Sequence, residues 1–282
     1  MSSVLLFAAA MVAAALLSSP EPAPVASSSR LASTSAPADP PHPGDPAVVV
    51  SVSRRAVGAP IPAGYLGFSF EFAGVRAYTG SDPAHINPVL VQLIRNLTPG
   101  QAPVVRVGGN STDVSYVRGP GVKPLPYRGY RLTPSWMATT GALARQLGAR
   151  MIMGLNLAAN DPALAAAELR AYVNALPKGS IDALEIGNEP NVYNKITIYR
   201  TEAGVPFHAR PRSFGYPAFR SQFEATARRT LPFALAGPAL ATGPAPGRGS
   251  WVNIVSDLLR RQPRLSLMTV HRYPLRNCYV PP

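Results

Sequence analysis

Ile181-Asp-Ala-Leu-Glu-Ile-Gly-Asn-Glu-Pro-Asn191 is the stretch on which the fold turns. A short apolar run carries Asn188 and Glu189 to its C-terminal tip, and Pro190 then stops it. Such a run, bounded by Gly and Pro, is what a strand buried on both faces looks like. A carboxyl group beside an amide at a strand tip, in a partly dry pocket, is what a general acid requires. The same Glu would also serve as a helix cap or a loop carboxylate, and the residues alone leave both readings open.

Working outward, five similar runs predict strands at Tyr65–Phe70, Val104–Val107, Arg150–Leu155, Phe233–Ala236 and Leu267–Val270, with Ala183–Ile186 as the strand of the opening stretch. Helix starts lie between them. Asn87-Pro88, Thr133-Pro134 and Asp161-Pro162 each set a capping side chain before a Pro, whose missing N–H costs nothing at the first helical position. Ser250 would cap a helix over Trp251–Arg261, and Gly148 would close one ending at Leu147. Strand–helix–strand repetition means parallel pairing with right-handed crossovers. A doubly wound sheet and a (β/α)8 TIM barrel both fit. No GxGxxG or Walker loop follows the first strand, and polar groups sit at the ends of several strands, which favours the barrel with a site at its C-terminal face. Six beats recur about every 40 residues, so a closed eight-strand barrel would need about 80 residues more. The expectation is an α/β chain holding an incomplete TIM barrel of about six βα units, without strands seven and eight.

Composition narrows the classes. The chain has 282 residues, 46% hydrophobic and 15% charged, which is enough to build a core. One Cys excludes a disulfide framework, and four scattered His without HExxH supply no metal set. No metal and no other cofactor is expected. Val4–Leu17 is a 14-residue apolar run, short for a membrane span and suited to a secretory signal. Residues 1–19 are therefore expected to be signal-like, 20–46 a linker with eight Pro, and 47–282 the barrel domain, in a secreted protein with no membrane span. The formal charge is +13, and residues 200–282 hold twelve Arg against three acids. A basic surface would steer acidic polymers, though solvated helix faces would give the same surplus. No nucleic-acid module accompanies the charge. Oligomeric state is not legible.

Four segments, in order, carry a resemblance: Leu66-Gly-Phe-Ser-Phe-Glu-Phe72, Val105-Arg-Val-Gly-Gly-Asn-Ser-Thr-Asp113, the Asn188-Glu-Pro190 tip, and Val270-His-Arg-Tyr-Pro274. Asn-Glu-Pro after an apolar strand resembles the acid/base motif of the clan A glycoside hydrolases. Together the segments resemble glycoside hydrolase family 79, the β-glucuronidase and heparanase-like group, over roughly residues 47–280. The resemblance implies a retaining glycosidase acting on O-glycosyl bonds of uronic-acid glycans. By it Glu189 is the general acid/base, and Asn188 bonds the sugar 2-hydroxyl. Glu71 and Asp113 hold glycone hydroxyls, unless they are loop or capping carboxylates. Tyr273 orients the nucleophile, and His271 faces the same side. Arg106 and Glu185, inside strands two and four, are expected to pair with each other or with neighbours across the lumen, since a lone buried charge is costly.

The family's nucleophile, a Glu on strand seven, and its C-terminal β-sandwich have no counterpart here. After Tyr273 no Asp or Glu remains. The expectation is a C-terminally truncated member whose 282 residues are inactive alone. Another clan A hydrolase, such as an arabinofuranosidase, and a non-catalytic glycan-binding protein are the alternatives.

Overall fold

A computed structural model describes residues 55, 58–60, 64–200, 203–242 and 251–272. The expected signal segment, the linker, Ser250, Tyr273 and Cys278 lie outside the described residues. Six strands, β1 (Gly67–Glu71), β2 (Val104–Gly108), β3 (Arg150–Leu155), β4 (Ile181–Ile186), β5 (Leu235–Ala241) and β6 (Leu265–His271), form one parallel sheet in chain order. All six expected strands are present. The largest boundary difference is β5, which runs on through Gly237 and Pro238. Beyond Ala236 it no longer pairs with β4, so Pro238 faces no ladder on that side and its missing N–H leaves no gap there.

Helices α1 (Pro88–Leu97), α2 (Pro134–Leu147), α3 (Pro162–Ala175), α4 (Tyr216–Arg228) and α5 (Val255–Arg261) fill the crossovers. The caps act as their chemistry requires. The Asn87 side chain accepts from the backbone N–H of Val89 and Leu90, Thr133 from Trp136, and Asp161 from Ala163. Gly148 adopts φ 58°, the left-handed conformation that closes α2. The helix expected from Trp251 opens as a 3₁₀ turn, Trp251–Ile254, before α5. Helix α4 starts at Gly215 without a side-chain cap, which is why cap chemistry did not announce it.

The sheet is buried on both faces. Trp136, Leu143, Leu164, Tyr172, Phe219 and Phe223 cover its helix side. On the other side Val104, Ile152, Ala183, Ala236 and Leu267, one from each of β2 to β6, form a separate apolar layer. Two residues further along, the same face of β2 and β4 presents Arg106 and Glu185. Layers of side chains contributed by successive strands are how a barrel lumen is filled. Curvature is directly visible: a flat sheet would hold β2 and β6 about 19 Å apart, yet Arg106 Nη2 lies 3.3 Å from His271 Nε2. The fold is thus α/β with a six-stranded parallel half-barrel, and no β6–β1 pairing occurs among the described residues.

Two short pairs decorate the C-terminal face. Ser115–Tyr116 pairs with Tyr130–Arg131 in the β2–α2 loop, and Thr197–Arg200 pairs with Pro206–His208 after β4. Among the described residues no helix is long and apolar enough to cross a membrane.

Candidate active site

Strand β4 ends at Ile186, and the chain then turns twice in left-handed conformations, Gly187 at φ 77° and Glu189 at φ 51°. For Gly this is ordinary; for Glu it is a strained geometry that surrounding contacts must hold. They do so from several sides. The Glu189 backbone N–H donates to Ala239 O at 2.9 Å, fastening the tip to β5. Pro190 opens a 3₁₀ turn that ends at Val192. The Glu189 side chain, 14% exposed, directs Oε1 to His271 Nδ1 at 2.8 Å.

Arg106 organises the lumen beneath. Its Nε donates to Glu185 Oε2 at 2.6 Å and its Nη1 to Ser69 Oγ at 3.0 Å. Its Nη2 reaches Asn188 Oδ1 and His271 Nε2, both at 3.3 Å. The expected Arg106–Glu185 pair is therefore formed, and it holds two charges that the interior would otherwise not tolerate. A guanidinium only donates, so a neutral His271 accepts at Nε2 and carries its proton on Nδ1, where it donates to Glu189. Gly108 makes this possible: a Cβ there would stand 2.6 Å from Arg106 Cζ.

Asn188 is buried, with its side-chain oxygen and one of its two amide hydrogens engaged. Besides accepting from Arg106, its Nδ2 donates to Asn110 Oδ1 at 3.0 Å. Its backbone N–H points between Asp113 Oδ2 and the Tyr193 hydroxyl, 3.3 Å from each. Tyr193 in turn donates to Asp113 Oδ1 at 2.7 Å. Asp113 also accepts from the Ala158 N–H at 3.4 Å, and burial pushes its carboxyl up to about 7 against these donors and nearby Arg210. Arg210 is itself buried. It donates to Leu157 O at 2.8 Å, Ala158 O at 2.7 Å and Gln222 Oε1, and stacks on Tyr193 and Phe214.

The expected site residues thus divide. Glu189, Asn188 and His271 come together at the C-terminal face. Asp113, 5% exposed, accepts from the backbone N–H groups of Asn188 and Ala158 and from the Tyr193 hydroxyl, and so braces Asn188. Glu71 accepts from the N–H of Asn110 at 2.9 Å, the N–H of Ser111 at 2.7 Å and the Ser111 hydroxyl, which makes it the cap of the Asn110–Val114 turn. That is the capping alternative as the geometry forms it, on a residue that stays exposed. Gly109 is required for it, since φ is 83° and a Cβ would lie 2.1 Å from Glu71 Oε1. Tyr273 lies outside the described residues.

Sequence reasoning missed Tyr193 and Arg210. Tyr193 stands four positions after Glu189, where a single helical turn folds a side chain back beneath the tip; that spacing was a usable signal. Arg210 sits isolated among turn residues, and nothing local marks it. No group of three or more His, Cys, Asp or Glu able to hold a metal ion occurs among the described residues.

A half-barrel of parallel strands with Asn and Glu at the tip of its fourth strand defines an α/β chain of the partial TIM-barrel kind. Among solved structures, a 4-O-α-L-rhamnosyl-β-D-glucuronidase from Fusarium oxysporum 12S, crystallised with Rha-GlcA, is similar in fold, with TM-score 0.51 and 19% identity. The match covers 74% of this chain and 44% of that one, so the chain spans less than half the length of the enzyme it matches. No protein-family model and no curated protein sequence matches the chain.

Proposed function

We propose that the chain carries the acid/base side of a retaining β-glucuronidase-like glycoside hydrolase, with Glu189 as the proton donor and acceptor. The observation that carries this reading is the Asn188–Glu189 tip, with Glu189 Oε1 2.8 Å from His271 Nδ1 and Asn188 fixed by Arg106. Support for a glycan with glucuronic acid comes from the four sequence segments and from the fold shared with an enzyme that acts on such a sugar. In this reading Glu189 protonates the departing glycosidic oxygen and later takes a proton from the attacking water, while Asn188 contacts the sugar 2-hydroxyl. Secretion stays part of the proposal and rests on the apolar run Val4–Leu17.

Retention needs a second carboxyl about 5–5.5 Å from the first. Of the acids near the tip among the described residues, Glu71 and Asp113 serve protein donors, and Glu185 is fully buried against Arg106. The 282-residue chain on its own is therefore expected to bind an aryl β-glucuronide without hydrolysing it. The test is ligand-observed NMR and product release with p-nitrophenyl β-glucuronide. Saturable binding that Asn188→Ala abolishes, without turnover, is expected. Hydrolysis that survives Glu189→Gln, or binding indifferent to Asn188→Ala, would sink the reading.

A further inference from the structure

The N-terminal end of the sheet, opposite Glu189, carries a surface of a different kind. Parallel β5 and β6 pair from Leu235 and Leu265 onward, so the loops that enter them lie side by side. Residues 226–235 hold Arg228 and Arg229, and residues 258–265 hold Arg260, Arg261 and Arg264, with no acid in either stretch. Each loop ends in a tight turn, closed by the Phe233 N–H to Thr230 O at 3.0 Å and by the Leu265 N–H to Gln262 O at 2.9 Å. Arg264 joins the two loops. Its Nη1 donates to Phe233 O at 2.7 Å and to Thr230 O at 3.3 Å, and its Nη2 donates to Ala227 O.

Positive charge is left over at this end. Among the described residues Arg228, Arg229 and Arg264 form no ion pair with a carboxylate, and the first two are exposed. Arg260 and Arg261 share Asp257 with Arg220 and the Tyr216 hydroxyl. Even with Glu224 assigned to Arg220, the five arginines of the two loops face one carboxylate. The helix dipole favours cations in the last turns of α4 and α5, where Arg228, Arg260 and Arg261 stand. It does not account for the turn apices. Leu231 and Pro232 form the first apex, with Leu231 64% exposed, and exposed Pro263 stands in the second.

A lone exposed Leu is ordinary on a protein surface. Two adjacent turns with apolar residues at their apices, joined by Arg264 and flanked by cations, make a composite surface. A soluble polyanion would use the arginines and gain nothing from the apices. An anionic bilayer uses both, offering phosphates to the guanidinium groups and an acyl boundary to Leu231 and Pro232. We propose that this end of the half-barrel docks peripherally on an anionic phospholipid bilayer, through Arg228, Arg229, Arg260 and Arg261, with Leu231 and Pro232 entering the interface. Glu189, at the other end of the parallel strands, then faces the aqueous phase. The docking surface is independent of the glycosidase reading.

The test is partition of the 282-residue chain into sedimentable vesicles of phosphatidylcholine containing one third phosphatidylglycerol, and into phosphatidylcholine alone. Val4–Leu17 has no charged side chain and is common to every variant, so the ratio of the two partition coefficients reports the patch. Each cation near such a surface is worth about fivefold, which sets a ratio of roughly a hundredfold at low salt that collapses at high salt. Arg228→Ala/Arg229→Ala should cut the ratio about tenfold or more, and Arg228→Lys/Arg229→Lys should retain most of it. Leu231→Ser should cut it about threefold or more, with an unchanged melting temperature. Arg118→Ala/Arg128→Ala removes two exposed cations from the opposite face and should leave the ratio as it is, which separates the patch from the net charge. A ratio near one, a ratio indifferent to Arg228→Ala/Arg229→Ala, or an equal loss in Arg118→Ala/Arg128→Ala would overturn the proposal. So would a ratio that Leu231→Ser leaves intact, since the patch would then read charge alone, as it would on a soluble polyanion. None of these outcomes bears on Glu189.

Discussion

Asp113 makes a quantitative prediction about stability and pH. Its carboxyl is 5% exposed and its affinity for the proton is raised from 3.8 to about 7, chiefly because burial disfavours the charge. Below about pH 4 both folded and unfolded chains hold this proton, and the contribution to stability is fully present. Between there and pH 7 the unfolded chain releases the proton while the folded chain keeps it, so stability falls as pH rises. Each unit is worth about 1.36 kcal/mol, and roughly three units give about 4 kcal/mol, a large share of the 5–15 kcal/mol typical of a domain. Asp113→Asn has nothing to titrate. The useful quantity is the stability of wild type minus that of Asp113→Asn, in which the fixed cost of placing an amide beside the Asn188 and Ala158 N–H groups cancels across pH. Urea unfolding followed by the fluorescence of buried Trp136 measures it. The difference should shrink by about 4 kcal/mol from pH 4 to pH 8. A difference constant to about 1 kcal/mol would refute the reasoning and mean that Tyr193, the backbone donors and Arg210 keep Asp113 ionised inside the fold.

Other expectations follow from the same geometry. Arg106→Leu leaves Glu185 buried without its partner and should cost about 3–5 kcal/mol in urea midpoint terms, whereas Arg106→Leu with Glu185→Leu should recover much of it; equal losses would mean that the pair is not the source. Glu168, fully buried on α3 and accepting from the Asn156 N–H, also has its carboxyl raised well above the ordinary range by burial. Glu168→Gln should therefore flatten the same acid-side slope, and an unchanged slope would argue against it. Gly109→Ala should destabilise by about 1–3 kcal/mol, because it combines a left-handed φ with collision against Glu71; Glu71→Ala in that background should relieve the collision but not the backbone strain. Thr133→Ala removes the cap of α2 and should cost about 1 kcal/mol, read from the same denaturation curves.

How far the sequence predicted this arrangement depends on the range of the interactions involved. The six strands and three helix starts were legible because their signals are local: an apolar run between Gly, Asn or Pro, and a capping oxygen before a Pro. The Asn188–Glu189 tip was legible for the same reason. The Arg106–Glu185 pair was legible at one remove, since two opposite charges on inward faces of strands two and four have little else to do in a lumen. Asp113 and Glu71 show where local reading stops. Both stand at strand ends, as sugar-binding carboxylates would, and the sequence does not say whether their oxygens meet solvent or backbone. For Glu71 the deciding partner is a turn 39 residues away, and for Asp113 it is a tyrosine 80 residues away.

That division changes how the tip is understood. Glu189 is held directly by His271 at the carboxyl, Ala239 at the backbone N–H and the Val192 N–H at its carbonyl. Asn188 beside it is held by Arg106, Asn110, Asp113 and Tyr193, which belong to β2, the turn after it, and the turn after β4. A left-handed glutamate persists only if its neighbours over-determine it, and here the neighbour that is over-determined is Asn188. Glu71 and Asp113 both connect to this asparagine: Glu71 caps the Asn110 turn, Asn110 accepts from the Asn188 amide, and Asp113 accepts from its backbone N–H. Their loss should therefore displace Glu189 along with Asn188. In this fold the position of Glu189 is a property of strand β2 and its following turn as much as of the strand that carries it.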